Sequence, residues 1–170
     1  MPDNPFSTVP PNSMRIVPVS PRPPEPTFRG LLLAGPDRAV LISPGRSGPL
    51  STSPHRLVVC ASITYSLLDR RRFSADGNAD PLAGLCVTVS EPRLGFAATG
   101  RMPRMPIISR QPNDPAVSDA EAERFVMTSY INPNLPDVVP MPAKAGRYHV
   151  HLDWGPWCSP VITIVVSLPE

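Results

Sequence analysis

Residues 57–68 read LVVCASITYSLL, and this stretch decides the fold. Val59, Ala61, Ile63, Tyr65 and Leu67 fall on one side of an extended chain, and Cys60, Ser62, Thr64 and Ser66 on the other. Strict alternation with a period of two predicts a β-strand with one face in a core and one face wet or lightly covered.

The same reading extends in both directions. The apolar runs 30–34 and 38–42 are split by Gly35-Pro36-Asp37, a turn signal. Leu85, Val87 and Val89 alternate with polar neighbours, and 95–99 forms another short run. Ser118 and Glu121 have the spacing of a capping box, which predicts one helical turn to Arg124. Strands are expected over 125–131, 148–154 and 161–168. Residues 69–78, 100–118 and 132–144 read as loops.

Proline explains why helices should be scarce. There are 26 among 170 residues, where average usage of roughly 5% would give about a third as many. Each proline removes a backbone donor and clashes with the preceding helical turn. Seven to nine short strands with proline-rich connections predict an all-β fold, a sandwich or a barrel. Nine prolines lie in residues 1–29, so this stretch is expected to be an extended arm preceding a domain over 30–170.

Gly146-Arg147-Tyr148-His149-Val150 resembles the start of strand F in immunoglobulin-like domains. There a Gly-x-Tyr precedes an inward residue, and the tyrosine hydroxyl pins a corner by bonding back to the backbone. The resemblance implies an Ig-like β-sandwich whose last hairpin is strands F and G. It covers some twenty residues. Lys144 stands where antibody domains usually carry aspartate, and Val150 stands in place of their second cysteine. No tryptophan lies between Cys60 and Val150 to fill the usual core position.

Charge and cysteine usage narrow the function. A net charge of +2, with only three arginines in residues 1–29, offers no basic patch for nucleic acid. Cys60, Cys86 and Cys158 are too few and too scattered for a disulfide framework. No apolar run is long enough to span a membrane, and the first residues lack the pattern of a signal peptide. A cytoplasmic or particle-associated protein is expected, with no cofactor.

Two sets of candidate residues emerge. His149, His151 and Asp153 should share the outer face of the 148–154 strand, with about 7 Å between successive residues. His-x-His can place two imidazoles on one metal, with Asp153, His55, Cys60 or Cys158 as a third ligand. No glutamate near the pair could act as a base, so a wet strand face is the competing reading. The second set suits protein partners: Met14, Ile16 and Val17 in the arm; Arg101, Met102, Arg104, Met105 and Ile107 in the proline-rich loop; and Trp154 and Trp157 at the last turn. The triplet Arg70-Arg71-Arg72 is a loop candidate for an anion.

The expected function is a non-catalytic binding or structural subunit, docked into a larger protein assembly through the arm and loops. A metal-dependent enzyme of cupin-like type is the first alternative, and a small-ligand or carbohydrate-binding module the second.

Overall fold

A computed structural model describes residues 4–41, 53–73, 84–102 and 116–169. The described chain is mostly β-strand, arranged in two sheets that face each other. The smaller sheet has three antiparallel strands, β1 (Gly30–Ala34), β3 (Cys60–Ser66) and β6 (Val126–Ile131), in the order β1-β3-β6. The larger sheet contains β2 (Arg38–Val40), β4 (Cys86–Glu91), β5 (Phe96–Arg101), β7 (Gly146–Trp154) and β9 (Ile162–Ser167), in the order β2-β9-β7-β4-β5. The two-residue strand β8 (Trp157–Cys158) pairs with the end of β7. Pairing is antiparallel except between β2 and β9.

Alternation selects the core. Leu31, Leu33, Ala61, Ile63 and Tyr65 from the smaller sheet meet Val87, Val89, Tyr148, Val150, Leu152, Ile164 and Val166 from the larger. The turn at 35–37 sends β1 into one sheet and β2 into the other, so one extended segment serves both layers.

In β3 the face expected to be wet or lightly covered is fully covered. All seven of its residues are buried, the polar face of Cys60, Ser62, Thr64 and Ser66 included. Two covers account for this. At one end Val9 packs on Val58 and Cys60, with Phe6, Val17 and Val19 around them. At the other, Leu67 and Leu68 of α1 (Leu67–Phe73) pack against Ala122 of α2 (Asp119–Arg124), with Val117 and Met127 beside them.

Residues 4–20 of the proline-rich segment therefore lie against the chain's own smaller sheet. Asparagines hold them there. Asn132 bridges to the segment through its backbone, accepting from Asn12 N at 2.7 Å and donating to Ser13 O at 2.9 Å. Asn134 is fully buried. Its backbone N–H donates to Asn12 Oδ1, its Oδ1 accepts from Leu57 N, and its Nδ2 donates to His55 O and Asp137 Oδ2. Asn12 adopts φ 52°, a left-handed conformation that asparagine tolerates better than most residues. Arg56 donates to the carbonyls of Ser7 and Val9 and closes the far end of the cover.

The local signals hold in part. The capping box at Ser118 forms in both directions, and its hydrogen bonds keep the Glu121 carboxyl below the usual range. Arg70, Arg71 and Arg72 lie on α1 rather than in a loop, because β3 ends at Ser66, whose N–H and hydroxyl bond Asp69. The proline-rich stretch 132–144, expected to be a loop, contains a one-turn helix, α3 (Leu135–Val138), with Pro136 in its first turn. Proline is compatible with a first helical turn.

Two outcomes test this account. Asn134→Ala removes the acceptor of Leu57 N–H and the donor to His55 O inside a buried network. It should lower unfolding free energy in urea by about 3 kcal/mol. Burial pushes the Cys60 thiol up to about 11, so below that pH it stays protonated. In the native protein at pH 8, Cys60 should resist alkylation while Cys158 reacts, and denaturant should expose it.

Candidate functional site

The outer face of the larger sheet carries the polar half of β7. Tyr148, Val150, Leu152 and Trp154 are buried, and Arg147, His149, His151 and Asp153 alternate with them on the other side. Strand register extends these residues into rows. His149 lies between Thr163 of β9 and Ser90 of β4. His151 pairs with Thr88. Asp153 lies between Cys158 of β8 and Cys86 of β4, and Cys86 in turn pairs with Arg101.

The two histidines of the His-x-His motif have different partners. His149 Nδ1 is 3.0 Å from Thr163 Oγ1. His151 Nε2 is 3.3 Å from Asp153 Oδ2. The cluster with metal-ligand spacing is His151, Asp153 and Cys158, whose donor atoms all lie within 4.8 Å of one another. A hydrogen bond to Asp153 is the main cause of a raised Cys158 thiol pKa, with smaller contributions from burial and the carboxylate charge. Of the expected third ligands, Asp153 and Cys158 join His151. His149 is outside the group, and His55 and Cys60 belong to the segment of the smaller sheet.

A tight hairpin brings Cys158 in. Trp154 and Trp157 face each other across the two-residue turn Gly155-Pro156. Gly155 has φ 54°, the positive value that the first central residue of a type II′ turn requires. A Cβ there would also lie 2.7 Å from the Phe73 ring. The tryptophan rings stack at 5.4 Å and 16°, with Phe73 edge-on to both. The short strand β8 falls between the expected strands 148–154 and 161–168. The signal available was a Gly-Pro pair between two tryptophans.

Several partner residues read from the sequence sit elsewhere than expected. Trp154 is 1% exposed and fills the core between Tyr65, Phe73 and Trp157, so it offers no surface to a partner or a sugar. Alternation along 148–154 puts Trp154 on the inward face with Tyr148, Val150 and Leu152, and there it caps the end of the core. Met102 is also buried, its N–H bonded to Leu85 O. Val17 is half-buried in the cover over Cys60, and Trp157 is half-buried against Trp154. Met14, Ile16 and Arg101 are exposed. Arg104, Met105 and Ile107 lie outside the described residues.

A shallow groove at the other end of this face is lined by Glu91, Arg93, Arg147, His149 and Thr163. Glu91 is buried, and its carboxylate accepts backbone N–H groups from Leu94 and Arg147. Its oxygens are thus committed to holding backbone. Arg71 of the triplet pairs with Asp119 at 3.4 Å. Compared with known proteins, the chain matches no family model, no curated protein and no solved structure.

The hairpin gives a graded prediction. Gly155→Ala combines a left-handed backbone with a clash against Phe73 and should cost about 3 kcal/mol. Gly95→Ala has a similar φ of 63° but nothing within 4 Å of the new Cβ, and should cost only about 1 kcal/mol. Urea unfolding followed by tryptophan fluorescence separates the two.

Proposed function

We propose that this chain is a non-catalytic, immunoglobulin-like sandwich that acts as a binding or structural subunit of a larger protein assembly. The observation that carries the docking role is an open sheet edge with apolar residues at both ends. Among the described residues, β6 pairs with β3 alone along its strand. Phe125 and Val126, at its start, are 54% and 38% exposed. Beside its far end, where Ser13 bridges Asn132, Met14 and Ile16 are 47% and 60% exposed. An unpaired edge presents a row of backbone donors and acceptors that a partner strand can satisfy, and flanking apolar side chains add area and register. Met14 and Ile16 of the proline-rich segment contribute to this surface from a backbone already held by Asn132, which lowers the entropy lost on docking.

Two features support the immunoglobulin-like reading. The Tyr148 hydroxyl donates to Lys144 O at 2.9 Å, the return bond of a tyrosine corner. The strand orders β1-β3-β6 and β9-β7-β4-β5 match A-B-E and G-F-C-C′ of that family. The commitment of Glu91 to backbone supports a structural role for the groove rather than an acid–base one.

The test uses surface variants. Deleting residues 1–29 would strip the cover from Val58 and Cys60 and confuse docking with folding. Ile16→Asp and Phe125→Asp should leave the melting temperature within a few degrees of wild type. Co-purification from the native source should yield a partner at fixed stoichiometry with the wild type, reduced at least tenfold for both variants. A wild-type chain that comes down alone as a monomer, or variants that retain the partner fully, would sink the docking role.

A further inference from the structure

The cluster at the β7–β8 hairpin goes beyond the docking reading and does not depend on it. We propose that His151, Asp153 and Cys158 bind one divalent cation of the zinc class on the outer face of the larger sheet, with the fourth position open to solvent. The donor set is one imidazole nitrogen, one carboxylate oxygen and one sulfur. Nitrogen and sulfur donors favour zinc and its borderline-soft neighbours over calcium or magnesium, which take oxygen. Zinc bonds of about 2.0–2.3 Å put neighbouring donor atoms of a tetrahedron roughly 3.3–3.8 Å apart. The His151–Asp153 separation is already 3.3 Å, and the whole group lies within 4.8 Å. Small side-chain rotations close the remainder.

The scaffold is suited to hold such a site. Asp153 and Cys158 are direct cross-strand partners, and His151 is two residues away on the same face. All three sit on paired strands rather than loops, and the stacked tryptophans lock the turn from the core side. His151 and Asp153 are half-buried and Cys158 is exposed, which leaves a path for the ion. Charge also fits, because a carboxylate and a thiolate together neutralise a dication. The arrangement differs from the His-x-His site that sequence spacing suggests. His149 points its Nδ1 to Thr163 on β9. Cys86 flanks Asp153 on the other side, but its Sγ is turned to Gly84 O at 3.9 Å.

The experiment uses the full chain, kept reduced and stripped with chelator. Zinc is titrated against a chromophoric competitor, and cobalt(II) is added in parallel as a spectroscopic probe. The expected result is one equivalent per chain, with a thiolate-to-cobalt charge-transfer band and the intense visible absorption of a four-coordinate ion. Cys158→Ser should abolish the charge-transfer band. His151→Ala and Asp153→Asn should weaken zinc at least tenfold, a loss that misorientation of a ligand alone can reach. His149→Ala and Cys86→Ser should bind as wild type does. Melting temperatures of the metal-free variants report whether each is folded. Failure of the wild type to bind zinc, a cobalt complex without thiolate absorption, or binding that is lost in His149→Ala but kept in Cys158→Ser would each overturn the proposal.

Discussion

The double burial of β3 is the constraint on which the rest of the structure depends. Its apolar face is covered by the larger sheet, as any sandwich requires. Its polar face is covered as well, and that needs chain from elsewhere. The N-terminal segment supplies one cover and the α1–α2 pair the other. A proline-rich segment suits the first task because it has fewer conformations to lose on ordering. It forms only an isolated bridge, Ser13 to Asn132, rather than a regular ladder, so side chains supplement its backbone hydrogen bonds. Asn132 Nδ2 donates to Arg15 O, Arg56 donates to the carbonyls of Ser7 and Val9, and Asn12 is tied through its side chain to Asn134 N and Asp137.

The larger sheet shows the opposite arrangement. Its inner residues anchor the core, while its outer face stays open and polar along β7. The turn at Gly155-Pro156 couples the two sides. On the inside it stacks Trp157 on Trp154, and on the outside it sets Cys158 beside Asp153. A rigid aromatic stack thereby fixes the position of a cysteine on the far face.

Much of the strand pattern was legible in the sequence. The alternation in 57–68, 85–90 and 148–154 gave inward residues that the core contains, because a two-residue period is a local property of the extended chain. The capping box at Ser118 was legible for the same reason, since it needs only residues three apart. Alternation says which side chains share a face, but not what lies over that face. It left the polar side of β3 wet or lightly covered, and it did not say what packs on Trp154. The first is covered by residues 4–20 and the α1–α2 pair, and the second by Tyr65, Phe73 and Trp157.

The candidate site divides along the same line. His151 and Asp153 could be placed together from spacing alone, since both belong to one strand. Cys158 could not be chosen over Cys60 or His55, because that choice depends on cross-strand register at a turn. The sequence by itself determined the β-class, the inward set of residues and the shared outer face of β7, all of which follow from local periodicity. Only the tertiary structure decided which cysteine meets Asp153 and what covers β3, because those contacts depend on how distant segments pack.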